Sequence, residues 1–297
     1  MSNTATVLAF DFGASSGRAI RAVCDGQNLN YEEIHRFENI PIEKDGHLCW
    51  DVETLLKEIH TAIQKAGTFD SLGFDTWGVD FGLLDADGHL LANPVHYRDA
   101  RTNGKPEQAA ACMPAEELYA HTGNQIMAIN TLFQLLALRE QDPQLLQKAE
   151  QVLFMPDLFA ALLGAEPVCE RSIASTSQML DPRTGQWSRE VLAVYGLNEK
   201  HFAPIVASGT VTGTLANGAK IIAVAGHDTQ CASAAMPCAE EDAEHTAFLS
   251  CGTWSLLGTE LDAPILTADS CQSGLSNELG ANGKINYLKN IIGLWLI

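Results

Sequence analysis

Short apolar runs separated by polar turns, with one long amphipathic stretch among them, set the pattern of the first hundred residues. Residues 7–10 are apolar and end at Asp11-Phe12-Gly13, and apolar character resumes over 19–23 after a Ser/Gly cluster, which predicts two strands around a tight turn. Over 52–66 the apolar positions Leu55, Leu56, Ile59 and Ile63 fall on one helical face, Asp51 can cap the start and Gly67 closes the end. Residues 71–74 and 81–84 read as paired strand segments, with Asp87-Gly88 as a turn. Between about 104 and 200 the period becomes helical, over 115–121, 131–139, 145–152 and 188–195, which predicts an all-helical insertion walling a ligand cleft. A strand is expected at 221–225 and a short helix at 230–235.

Pro237 and the acidic residues Glu240, Glu241, Asp242 and Glu244 mark a boundary near 238, dividing residues 1–237 from 238–297. Beyond it, 246–249, Ser250-Cys251-Gly252-Thr253 and 254–257 repeat the strand, turn, strand grammar of residues 7–23, so a second domain is expected to begin as the first did. The closing run Ile291-Ile292-Gly293-Leu294-Trp295-Leu296-Ile297 reads as a core helix cut in its second turn and is too short to span a bilayer.

Composition narrows the class. With 297 residues, 46% of them hydrophobic, the chain can bury more than one core, which suits one full domain and part of another. A formal net charge of −19 argues against nucleic acid and anionic membranes as partners, and requires any bound phosphate to be held by local backbone N–H groups and a divalent cation. The eight cysteines are scattered without C-x-x-C spacing and read as reduced, mostly buried thiols. No basic segment precedes the first apolar run, so the start does not read as a secretion signal and a cytoplasmic location is expected.

Three clusters could carry chemistry. In Asp11-Phe12-Gly13-Ala14-Ser15-Ser16-Gly17-Arg18, glycines permit close backbone approach, successive N–H groups can form an anion nest, and Asp11 is placed to hold Mg²⁺ through water; an ordinary hairpin is the alternative. It is not a Walker loop, since no Gly-Lys-Ser/Thr is present and a strand follows. Gly226-His227-Asp228-Thr229 lies between a strand and a helix, where a carboxylate could accept the proton of an attacking hydroxyl or simply cap the helix. The stretch from Gly73 to Phe81, with Asp75, Trp77, Gly78 and Asp80, and Tyr97-Arg98-Asp99 with Arg101 downstream, offers the acceptors and flat apolar face that a polyol site needs; capped turns at a strand edge are the alternative.

These pieces, with Trp77-Gly78-Val79-Asp80-Phe81 and Ser250-Cys251-Gly252-Thr253-Trp254-Ser255, occur in an order that resembles the FGGY carbohydrate kinases across nearly the whole chain. The resemblance implies an α/β fold: a ribonuclease-H-like domain of the actin and hexokinase type, with a helical insertion, followed by the start of a second domain of that type. Residues 1–237 would be the sugar-binding domain and 238–297 the start of the ATP-binding domain. By the same resemblance the first phosphate loop falls on Ala14, Ser15, Ser16, Gly17 and Arg18, the Mg²⁺ ligand on Asp11 and the catalytic base on Asp228. Sugar contacts fall on Gly78, His227, Asp228, Thr229 and Asn290, and the second phosphate loop on Gly252 and Thr253. The implied activity is transfer of phosphate from MgATP to the primary hydroxyl of L-rhamnulose, with fuculose or xylulose as alternative ketoses. A non-catalytic sugar-binding chain is a further alternative.

Overall fold

The structure is a computed structural model that describes residues 4–238, 242, 245–252 and 254–293. Its main sheet has six strands in the order Thr210–Thr214, Lys220–Ala223, Ser71–Thr76, Ala5–Phe12, Ser16–Cys24 and Leu29–Glu38. The hairpin of Ala5–Phe12 and Ser16–Cys24 is antiparallel, whereas Ser71–Thr76 runs parallel to Ala5–Phe12 on one side and to Lys220–Ala223 on the other. Helix Val52–Ala66 and helix Met155–Leu162 pack on this sheet and complete its core, in which Phe12 stacks on Phe159 at 4.8 Å. Asp51 caps the first helix by accepting from Thr54 N at 3.2 Å.

The loop after Ser71–Thr76 is held by one buried carboxylate. Asp80 Oδ2 accepts from Trp50 Nε1 at 2.6 Å, Trp77 Nε1 at 3.1 Å and Tyr97 N at 3.1 Å, while Oδ1 accepts from Gln134 Nε2 at 2.8 Å. Burial pushes the Asp80 carboxyl up to about 6, and these four donors oppose the rise. Val79 beside it has φ of 67°, a region that a β-branched residue rarely occupies. The Thr131 hydroxyl donates to Val79 O at 2.6 Å and Val79 N donates to Thr176 Oγ1 at 3.2 Å, which keeps the strained residue in place.

The strand, turn, strand repeat is present as the antiparallel pair Ala247–Cys251 and Trp254–Leu261. It belongs to a separate four-stranded sheet completed by Ile285–Ile292 and Ser276–Leu279. This second sheet rests directly on the first part of the chain: Leu279 and Ile285 join the main core, Asn277 N donates to Gly123 O at 2.8 Å, and Leu279 N donates to Ser175 Oγ at 3.0 Å.

Several sequence expectations need correction. Strand Phe81–Leu84 pairs with Gln151–Phe154 and not with Ser71–Thr76, so the helix expected over 145–152 ends as Pro143–Lys148 and Val152 is in a strand. The insertion is therefore not all-helical; the short strands Cys169–Glu170, Leu180–Asp181 and Gln186–Trp187 also lie in it. At the other end of the chain, Ile291 and Ile292 close a strand where a helix was expected, and residues 294–297 lie outside the described residues. Of the acidic run, Glu240, Glu241 and Glu244 also lie outside them. All eight cysteines are free, but only Cys49 and Cys169 are buried, while Cys24, Cys112, Cys238 and Cys251 are exposed. Among the described residues no helix is long and apolar enough to cross a membrane.

Asp80→Asn swaps one acceptor for a donor that faces other donors. We expect it to destabilise the fold by about 2–4 kcal/mol in urea unfolding, with the denaturant slope unchanged.

Candidate active site

Strand register brings the first two carboxylates together. Asp11 and Asp75 are direct partners across the parallel pair of strands, both at the carboxyl edge of the sheet. The third strand reaches the same edge, because Thr76 N donates to Gly226 O at 2.8 Å and Thr76 bridges to His227 in parallel, which delivers Asp228 beside the other two. Ligands of open α/β sheets sit at this edge, where strand ends and loops leave side chains free of the ladder. A cavity of about 510 Å³ opens here, and Asp11, Asp75 and Asp228 all line it.

Most of the residues singled out from sequence converge on this cavity: Asp11, Ala14, Ser15, Ser16 and Arg18 from the first hairpin, Gly78 from the strained loop, His227, Asp228 and Thr229 from the helix start, and Gly252 and Asn290 from the second sheet. Gly17 is not in the lining. Its Cα lies under the Phe37 ring, where a Cβ would stand 2.2 Å from Phe37 Cζ, so glycine there serves packing. Thr253 lies outside the described residues. Asp80 and Asp99 do not line the cavity; Asp80 organises the loop above, and Asp99 caps Arg101 N at 2.9 Å and accepts from Leu48 N at 2.9 Å.

The two hairpin turns share a local device. Gly13 N donates to Ser16 O at 2.8 Å and Gly252 N donates to Trp254 O at 2.8 Å, which folds each turn back on its own strand. In the first turn, Asn39 N donates to Ser15 O at 3.0 Å and Asn39 Nδ2 to Gly13 O at 2.9 Å. Among the described residues, no backbone acceptor takes the N–H of Ala14 or Ser15, which suits anion binding. Arg18 Nε stands 3.3 Å from Asp11 Oδ2, so one cation already balances that carboxylate. Asp11 offers carboxylate oxygens of the kind that hard divalent cations take, directly or through water.

Asp228 does not cap its helix. Helix Asp228–Ala234 begins with it, and the cap position belongs to His227, whose side chain makes no capping bond. Asp228 Oδ1 instead accepts from Thr229 N at 2.5 Å, and the side chain keeps 41% of its surface exposed at the cavity. Although part of the side chain is open to the cavity, the surrounding protein strips enough water from it to raise its pKa, with His227 and the Thr229 bonds pulling the other way and Asp11 adding to the rise. Asp75 is pushed well above the usual carboxylate range by burial and then by Asp11 and Asp228. For His227 burial alone would depress the pKa, but Glu278, Asp228 and Asp75 override it and raise the imidazole to about 9.

Several lining residues carried no sequence signal. Glu278 comes from strand Ser276–Leu279, and Asn124, Gln125 and Asn130 come from the loop before helix Thr131–Gln141. Each is a lone polar residue outside any motif, and only burial in the assembled fold exposes its role. Trp254, from the second hairpin, lines the cavity together with Tyr97, so both parts of the chain contribute to its wall.

Two sheets that each turn a strand, turn, strand hairpin toward one cleft, with a carboxylate edge beside them, match the actin and hexokinase class of fold. The solved xylulose kinase of Lactobacillus acidophilus superposes with a TM-score of 0.80 at 16% identity, over 95% of this chain and 59% of that one. The glycerol kinase of Plasmodium falciparum, solved with ADP, does so with a TM-score of 0.73 at 15% identity, over 96% and 60%. Residues 6–234 match the FGGY family of carbohydrate kinases, N-terminal domain, and this chain belongs to that family. Among curated relatives, the rhamnulokinase of Bacteroides thetaiotaomicron is 42% identical, aligned over 98% of this chain and 62% of that protein. The rhamnulokinase of Halalkalibacterium halodurans is 39% identical, over 98% and 64%. The chain thus spans less than two thirds of the length of these relatives.

The raised His227 pKa makes a stability prediction. A group whose pKa is higher folded than unfolded contributes stability that is complete below its unfolded value, here about 6.5, and is lost as pH rises through about 9. Urea unfolding at pH 6.5 and 9.5 should show a loss on the order of 1–3 kcal/mol. His227→Gln should flatten that dependence.

Proposed function

We propose that this chain carries the sugar-binding and phosphate-facing part of an ATP-dependent kinase that phosphorylates L-rhamnulose at its primary hydroxyl. The observation that carries the reading is that the Asp228 carboxylate and the turns of both hairpins line one cavity. The names of the two curated relatives support the choice of sugar. A cavity of about 510 Å³ also has room for a ketose together with the terminal phosphates of a nucleotide. Residues 1–237 would form the sugar-binding domain and 238–297 the start of the ATP-binding domain, in keeping with their two separate sheets. The reading belongs with a cytoplasmic enzyme of rhamnose breakdown.

In this scheme Asp228 accepts the proton of the sugar hydroxyl as its oxygen forms a bond to the γ-phosphorus, and the bond from that phosphorus to the bridging oxygen breaks to release ADP. Gly78, His227, Thr229 and Asn290 would hold the sugar, and Trp77 supplies a flat apolar wall. The turn at Ala14, Ser15 and Ser16, Arg18, and the second turn at Gly252 with Thr253, would hold phosphate oxygens. Asp11 would hold Mg²⁺ through water, and the ion would supply charge balance on those oxygens.

Asp228→Asn should lower L-rhamnulose-dependent ADP release by about 10²–10⁴-fold, because it removes a general base and leaves the cavity shape intact. Calorimetry should show ketose affinity within about threefold of the parent, and residual turnover within about tenfold would refute the base assignment. Ketose binding by the parent chain with no ADP release would favour the sugar-binding reading instead. Where turnover is present, the base must be deprotonated, so a raised Asp228 pKa predicts that kcat/KM falls on acidification at a pH above the ordinary aspartate value of 3.8.

A further inference from the structure

We propose that Glu278 is a positioning residue for Asp228, acting through the His227 imidazole, so that the seating of the second sheet sets the geometry of the carboxylate at the cavity. The proposal deepens the kinase reading above and rests on it for the role of Asp228.

The geometry is a relay across the junction between the two parts of the chain. His227 Nδ1 donates to Glu278 Oε2 at 2.8 Å, and the other ring nitrogen, Nε2, stands 3.5 Å from Asp228 Oδ1. Glu278 Oε2 also accepts from Gln230 Nε2 at 2.8 Å, one helical turn along from His227. Gln230 Oε1 in turn accepts from Asn286 Nδ2, which also donates to Ser233 Oγ at 2.9 Å. Glu278 and Asn286 lie on neighbouring strands of the second sheet, where they are direct partners, whereas Gln230 and Ser233 belong to helix Asp228–Ala234 and His227 to its cap. His227, Gln230, Glu278 and Asn286 are all buried, so the orientation of the imidazole is set by protein groups.

A carboxylate on the Nδ1 side decides what Nε2 presents to Asp228. Facing Glu278, the ring holds both protons, and Nε2–H points a donor at Asp228 Oδ1. With a neutral group in place of Glu278, the ring loses the charge that most favours its second proton, and the Asp228 carboxylate then faces a neutral imidazole in place of a cation. The other charges around the ring do not substitute for Glu278. Asp75, from the central strand, acts on the ring through space without a hydrogen bond to it, Glu170 accepts from Gly226 N at 3.0 Å, and Arg18 is spent on Asp11.

The test uses the intact chain without divalent cation. The ¹⁵N signals of His227 and the ¹³C carboxyl signal of Asp228 are followed with pH in the parent, in Glu278→Gln, in His227→Gln and in the double variant. In the parent, His227 should carry both ring protons at pH 8, and a neutral ring there overturns the proposal without any variant. Glu278→Gln keeps the size of the side chain and an acceptor for Gln230. It should leave the ring neutral at pH 8 and raise the Asp228 midpoint by about one unit, a tenfold change in its proton affinity. Adding the same substitution to His227→Gln should move Asp228 by less than about a third of that. An Asp228 midpoint that stays put in Glu278→Gln, or shifts equally without the imidazole, overturns the relay. In turnover, Glu278→Gln should lower kcat about tenfold near neutral pH with the sugar KM within about threefold. If these titration shifts occur and Asp228→Asn still turns over, the kinase base assignment fails and the relay stands. If Asp228→Asn is inactive while Asp228 ignores Glu278, the relay alone fails.

Discussion

Parallel strand register is the constraint on which this structure depends. Because Ser71–Thr76 runs parallel to Ala5–Phe12 with Asp75 opposite Asp11, and because Thr76 is tied to Gly226, three carboxylates from distant parts of the chain end at one sheet edge. Burial at this edge raises the pKa of Asp75 and of Asp228, and the neighbouring carboxylates add to the rise, Asp11 and Asp228 at Asp75 and Asp11 at Asp228. Close packing holds it. A Cβ on Gly226 would meet Pro156 Cγ at 2.9 Å and Ile173 Cβ at 3.1 Å, so the strand end sits against the insertion with no slack.

Positive charge answers this concentration of negative charge at two places. Arg18 lies against Asp11 from the same hairpin, and His227 lies between Asp228 and Glu278. The second of these links the cavity to the packing of the second sheet, since Glu278 reaches the imidazole only when strand Ser276–Leu279 is seated on the first part of the chain. The cavity thus has its carboxylate edge and one hairpin turn on the main sheet and the other hairpin turn on the second sheet.

The sequence and the structure agree most where local physics decides. Helix Val52–Ala66 has a one-sided apolar face, an Asp cap and a closing Gly, and it is found at the expected residues. The two strand, turn, strand units were legible because glycine and serine mark turns and apolar runs mark strands. Local reading failed where long-range pairing decided. Residues 151–154 continue an apolar helical pattern, yet they form a strand because Phe81–Leu84 offers them a partner. Asp75 and Asp80 looked alike in one motif. One ends at the cavity opposite Asp11, and the other is enclosed by Trp50, Trp77, Tyr97 and Gln134.

By itself the amino-acid order determined the family-specific turns, the candidate base at Asp228 and the α/β class, since these rest on residue types at short spacing. Tertiary structure alone decided which acidic groups meet, that Gly17 serves Phe37 and not the cavity, and that Glu278 holds His227. The physical reason is range. Turn chemistry and helix periodicity act over a few residues, whereas the field at a carboxylate is summed over every charge and dipole that folding brings within several ångströms, whatever their distance along the chain.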